Sequence, residues 1–177
     1  MYKRVLIPLD GSPLAEGILP FILDIAGPLD MEVILVRVMQ PVMPLAIEGT
    51  RHFMADDVAV RLEEAREYLA SVAADLRGRG VRGTTDARHG DPVTELVAAA
   101  RETGADLIAM TTHGRSGFGR LLFGSVAEAV LRQAEIPVLM MRLTERQVSE
   151  RPYPSRHPAT TTDAALALAP DARSRRL

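Results

Sequence analysis

Residues 3–13 read Lys3-Arg4-Val5-Leu6-Ile7-Pro8-Leu9-Asp10-Gly11-Ser12-Pro13, and this stretch decides the fold class. Val5-Leu6-Ile7 is a continuous apolar run, the pattern of a strand buried on both faces of a parallel sheet. The run stops at Pro8. Ser12-Pro13 then sets an N-cap hydroxyl before a proline at the first helical position, so a helix opens soon after the strand ends. Leu14, Ile18, Phe21, Ile22 and Ile25 recur at helical spacing until Gly27-Pro28. This predicts one helix, kinked at Pro20 where a backbone donor is missing. A strand leading straight into a helix is the opening half of a βαβ unit.

The alternation continues outward from there. Residues 33–39 form a second apolar strand. Residues 40–55 follow, a Pro- and Met-bearing connection with no clear period. Val58, Leu62, Ala65, Leu69, Val72 and Leu76 step by four and three residues along one helical stripe, which Gly78 and Gly80 close. A weaker strand spans 81–88. Asp91-Pro92 caps and opens another helix, with Val93, Leu96, Val97 and Ala100 on its inner face and Gly104 at its end. Residues 107–110 are a fourth strand, Ser125-Val126-Ala127-Glu128 reads as a capping box, and residues 137–141 are a fifth strand. Strands alternating with helices in this way predict an α/β fold with an open parallel sheet. The domain is read as residues 1–145. Residues 146–177 are read as a disordered tail, because they are rich in Pro, Ala and Arg and poor in periodic apolar content.

Composition excludes several function classes. Net charge is −2, with Lys+Arg 21 against Asp+Glu 23, so no global basic field draws nucleic acid. The chain has no cysteine, which removes thiolate catalysis, disulfides and Cys-ligated zinc. The four histidines, His52, His89, His113 and His157, form no pair at metal-ligand spacing. No stretch is apolar enough for a membrane span, and the first apolar run is too short for an export signal, so the expected location is the cytoplasm.

Two places carry the chemistry. Residues 111–125 read Thr111-Thr112-His113-Gly114-Arg115-Ser116-Gly117-Phe118-Gly119-Arg120-Leu121-Leu122-Phe123-Gly124-Ser125, between a buried strand and a helix N-terminus. Free N–H groups at such a terminus attract an anion, and glycines let backbone approach a ligand closely. Arg115 and Arg120 add positive charge. The same residue types also suit a plain strand-to-helix connector. Gly119 and Gly124 have P-loop spacing, but Ser125 stands where the lysine belongs, so this is no Walker A motif. Asp10 is the second place. It follows the first strand at the carboxyl edge, where open α/β sheets bind ligands. Asp10-Gly11-Ser12 also reads as a turn with a cap, although Ser12 already fills the cap role.

From Met1 to about Leu143 the chain resembles the universal stress protein family, in its ATP-binding branch. The resemblance rests on the opening residues 3–12, Gly90-Asp91-Pro92, Gly124-Ser125-Val126-Ala127-Glu128 and Pro137-Val138-Leu139. ATP-binding members carry Gly-x2-Gly-x9-Gly-Ser/Thr. Gly114 and Gly124-Ser125 match its second half, while Thr111 replaces the first glycine. The resemblance implies a Rossmann-like five-stranded parallel sheet in order 3-2-1-4-5 with helices on both faces. It also implies Pro8, Asp10 and Val38 beside adenine, with Met110 and Thr111 near the sugar. Gly114, Arg115, Gly124, Ser125 and Val126 would hold phosphates, with a Mg2+ or Mn2+ ion. It further implies a homodimer through the last strand, residues 138–142, an apolar edge that needs covering. The expected function is nucleotide-dependent regulation with at most slow ATP hydrolysis. A nucleotide-free dimeric interaction module is the main rival. An adenylyl-transferring enzyme fits less well, since those place a phosphate loop directly after strand one.

Overall fold

The run that opens the chain becomes the middle of the sheet. In the computed structural model, which describes residues 1–41, 51–113, 124–150 and 153, β1 is Arg4–Pro8, and Val5, Leu6 and Ile7 are fully buried. The other strands are β2 (Glu32–Met39), β3 (Arg82–His89), β4 (Leu107–His113) and β5 (Val138–Leu143). All pair in parallel in the order β3-β2-β1-β4-β5, as expected. The register sets Val5 opposite both Val33 and Leu107.

Side chains alternate across the sheet. Val5, Ile7, Val33, Leu35 and Ala109 enter one apolar cluster, closed by α2 (Leu19–Ala26) and α3 (Arg51–Gly78). Leu6, Ile34, Val36 and Ile108 enter a second, closed by α4 (Pro92–Thr103) and α5 (Ser125–Gln133). Two short helices complete the described chain, α1 (Pro13–Glu16) and α6 (Glu145–Glu150). In the α3 stripe Ala65, Leu69, Val72 and Leu76 are buried. The helix begins at Arg51, inside the stretch read as a connection, so a run without apolar period still extends a helix that is anchored farther along.

The single kinked helix expected after β1 is two helices. Pro20 has no N–H to give to the carbonyl of Glu16, and the chain breaks just before it. At Gly17 the break also involves space: a Cβ there would stand 2.7 Å from Leu143 Cδ1, so a larger residue would make the Leu143 side chain at the end of β5 shift. α2 then restarts with Pro20 in its first turn, where no donor is needed. The break changes the helical phase, and Ile25, expected on the inner face, is 38% exposed. The expected capping box is not formed, because the helix starts one residue earlier than Ser125 as N-cap would require. Gly124 is the N-cap of α5 and Ser125 the first helical residue, with no side-chain cap bond.

Candidate functional site

Pairing between β1 and β4 is confined to Val5–Leu107 and Leu6–Ile108. Beyond that point β1 stays with β2, where the Leu9 N–H donates to the Val36 carbonyl at 2.8 Å, and β4 stays with β5. The two central strands therefore part at their carboxyl ends. A cavity of about 310 Å³ opens between them, at the switch point of the strand order.

The cavity is built from strand ends and helix starts. β1 and its following turn supply Pro8, Leu9, Asp10 and Ser12, and α1 supplies Leu14 and Ala15. β2 gives Val36 and Val38, with Gln40 just beyond it, while β4 gives Met110 and Thr111. Pro92 and Leu96 come from α4, and Gly124, Ser125, Val126 and Ala127 from the start of α5. Most of this wall is apolar, a surface suited to a flat heteroaromatic ring. The polar groups are few and stand toward the strand ends, the usual arrangement of a small-molecule pocket.

Eight of the ten residues singled out in the sequence, Pro8, Asp10, Val38, Met110, Thr111, Gly124, Ser125 and Val126, line this one cavity. Gly114 and Arg115 lie outside the described residues, as does Arg120. Leu14, Ala15, Gln40 and Leu96 also line this wall, and none of them carries a site signal in the sequence. Leu14 and Leu96 looked like ordinary helix-face residues, and nothing in residue type separates a leucine that faces a cavity from one that faces the core.

Local chemistry shapes the turn after β1. Gly11 sits at φ +88, a conformation that favours glycine. The Ser12 N–H donates to Asp10 Oδ1 at 2.8 Å, and Ser12 Oγ accepts from the Ala15 N–H at 3.1 Å. Asp10 thus has a turn-forming role as well as a place on the cavity wall. At α4, Asp91 Oδ1 accepts from the Thr94 N–H at 2.9 Å and from the Thr94 hydroxyl at 2.8 Å.

Three helix N-termini meet at the cavity, and they differ in a way that matters for ligands. Ser12 caps α1 and Asp91 caps α4 through their side chains. α5 carries no side-chain cap bond from its N-cap residue Gly124. Its first-turn N–H groups, at the positive end of the helix dipole, are the ones not satisfied by their own cap. Among the described residues no cluster of His, Asp or Glu could hold a metal ion by itself.

The Asp91 cap gives a test of how α4 is seated. The Thr94 backbone N–H, then its hydroxyl, hold the Asp91 carboxyl below its ordinary value of 3.8. A lowered carboxyl contributes stability above its unfolded range, and that contribution is lost as pH falls through the lower folded value. Asp91→Ala is therefore expected to lower the thermal midpoint at neutral pH. It should also make the acid side of the stability profile, below about pH 4, shallower than in the parent. Thermal melts of both proteins from pH 7 downward check this. Parallel acid limbs would mean that the cap contributes nothing through its charge.

Comparison with known proteins agrees with this architecture. Residues 1–142 match the Universal stress protein family. Universal stress protein MJ0531 of Methanocaldococcus jannaschii is 34% identical over 149 residues, which cover 83% of this chain and 86% of that protein. The solved structure of MJ0577, from the same organism, has a TM-score of 0.65 at 29% identity and covers 81% of this chain and 97% of that one. A universal stress protein solved in complex with cAMP has a TM-score of 0.53 at 26% identity, covering 80% and 97% of the two chains.

Proposed function

The chain belongs to the universal stress protein family, and on that premise we propose that it is an adenine-nucleotide-binding regulatory protein whose ligand is ATP. The observation that carries this reading is the start of α5: a helix N-terminus without a side-chain cap, set at one end of a largely apolar cavity. Such an end attracts phosphate through its N–H groups and its dipole. The remaining wall suits a purine, with Pro8 and Val38 as its faces and Asp10 as an acceptor for an amino or hydroxyl donor. Met110 and Thr111 are assigned to the sugar. Gly124, Ser125 and Val126, with Gly114 and Arg115, are assigned to the phosphates and a Mg2+ or Mn2+ ion bound with them. The relative solved with cAMP supports the nucleotide class.

The protein acts by occupancy, and any hydrolysis is slow. Phosphoryl transfer needs a group that orients the nucleophile as well as a cradle for the phosphates. The reading includes a cytoplasmic location; among the described residues no helix is long and apolar enough to cross a membrane. It also includes a homodimer. β5 is an edge of the sheet, with Leu139 38% exposed and Val138 and Met140 half-buried, and an apolar edge of this kind calls for a partner strand. That edge also favours the second reading, an interaction module that acts through its dimer surface without nucleotide.

Isothermal titration separates the two readings. ATP with magnesium is expected to bind with a Kd in the micromolar range, about −8 kcal/mol, and more tightly than cAMP, which has fewer phosphate oxygens to offer α5. Equal affinity for ATP and cAMP would remove the polyphosphate assignment. No heat with any adenine nucleotide would leave the interaction module as the better account.

A further inference from the structure

One charged residue is buried where neither the core nor the cavity requires it. Glu16, the last residue of α1, is 3% exposed, and its Oε1 accepts a hydrogen bond of 2.8 Å from the hydroxyl of Tyr68 on α3. Tyr68 is itself 6% exposed. Arg37 of β2 lies over its ring, with the guanidinium carbon 4.8 Å from the ring centre. The same guanidinium lies close to the turn after β1, where a Cβ on Gly11 would stand 3.4 Å from both terminal nitrogens of Arg37. These neighbours form a ring: turn, Arg37, Tyr68, Glu16, α1, and back to the turn.

The ring lies on the α3 side of the sheet, and the cavity lies across the same turn. Val33 and Leu35 point into the cluster that α3 covers, and Arg37 continues their alternation. The segment held from beneath, residues 10–16, brings Asp10, Ser12, Leu14 and Ala15 to the cavity wall. α1 has only four residues, too few to hold its shape alone. Its position therefore depends on tertiary contacts, and the Glu16–Tyr68 bond is a buried polar one among them. Burial, followed by the Glu16 charge, pushes the Tyr68 phenol well above its ordinary range, so the donor proton stays in place across working pH.

We propose that Tyr68 and Arg37 are positioning residues for nucleotide binding, stacked beneath the turn after β1 so that Asp10, Leu14 and Ala15 stand where the ligand meets them. The proposal rests on the nucleotide reading of the cavity. It adds that affinity is set in part from α3, on the opposite face of the sheet. Tyr68 and Arg37 touch no ligand; they act through the turn and α1.

The test compares Tyr68→Phe and Arg37→Met with Leu76→Ala, a control that opens a hole in the same cluster, away from the cavity, and destabilises at least as strongly. Two readouts are made at a temperature where every variant is folded. In the first, the Kd for MgATP is expected to rise about tenfold in Tyr68→Phe and Arg37→Met and to stay unchanged in Leu76→Ala. In the second, with no nucleotide present, amide exchange of residues 11–17 is expected to quicken about tenfold in the first two variants relative to the β1 and β2 amides, but not in the control. If Tyr68→Phe binds MgATP like the parent, or if residues 11–17 exchange no faster than the rest, the proposal is overturned. A parent protein that binds no nucleotide ends the affinity claim together with the reading beneath it. The exchange readout then still decides whether Tyr68 holds the turn.

Discussion

A Gly124→Val protein is expected to fold as the parent does and to lose nucleotide binding, its Kd for MgATP rising at least about 100-fold. Gly124 has φ −56 and ψ 147, an extended conformation open to any residue, and a Cβ built there meets nothing within 4 Å among the described residues. The substitution therefore strains no backbone and crowds none of the described residues. Its cost to folding is that of a poorer N-cap, about 1 kcal/mol. The added side chain instead sits at the start of α5, on the cavity wall, at the N–H groups to which the proposed function assigns the phosphates. A phosphate kept from those donors loses charge-assisted hydrogen bonds worth about 1.5–3 kcal/mol each, so losing one or two accounts for the expected change. Titration calorimetry beside a thermal melt measures both quantities. A variant that melts near the parent and binds MgATP equally well would remove α5 from the site.

The same substitution at Gly11 would say much less. There φ is +88 and Arg37 closes the space on one side, so a valine would strain the turn itself. Loss of binding in that protein could not be told from loss of the turn. Gly124 is informative because its backbone angles suit any residue and no described residue crowds it, which separates the ligand's needs from those of the fold.

That contrast shows what residue pattern does and does not encode here. β1 and β4 were legible because a strand buried on both faces must be apolar throughout, and few other elements read that way. The cap residues Ser12 and Asp91 were legible because each precedes a proline at the first helical position. The strand order came with the family resemblance and not from residue pattern, and it places the candidate site, since the carboxyl ends of β1 and β4 have to part where the order reverses. The break between α1 and α2 was half legible. Pro20 announced an interruption, but the break falls at Gly17, where a Cβ would crowd Leu143, a residue far away in the chain. The Glu16–Tyr68 pair was hidden for a related reason. A glutamate among Leu14, Ala15 and Ile18 is ordinary on a surface helix, and only packing against α3 makes it a buried acceptor.

Tyr153 carries the second large expectation. It lies past residue 145, where the sequence reading ends the domain, in a stretch without apolar period, yet it is 7% exposed and joins the core cluster between the sheet and α3. Arg79, just past the end of α3, stands over its ring at 5.6 Å. Tyr153→Ala is expected to cost about 3 kcal/mol, the scale of a buried aromatic truncated to alanine. That is a large share of a total stability of about 5–15 kcal/mol. Tyr153→Phe should act in the opposite direction. The hydroxyl is buried with no hydrogen-bond partner among the described residues, so its removal relieves an unpaid desolvation and is expected to stabilise by about 1 kcal/mol. A pH profile adds an independent sign. Burial, then the Asp75 carboxylate, raise the Tyr153 phenol from 10.0 to about 12, against the nearby Arg79 charge. A raised folded value means that the unfolded chain ionises first. Stability is then intact below about pH 10 and is lost as pH climbs toward about 12. Tyr153→Phe removes that share of the alkaline loss, while the share due to Tyr68, also raised, remains. Urea midpoints of the parent and both variants between pH 7 and pH 12 test all three expectations. If Tyr153→Ala unfolds at the parent's midpoint, the ring contributes nothing to the core, and residues beyond β5 lie outside the stabilised fold.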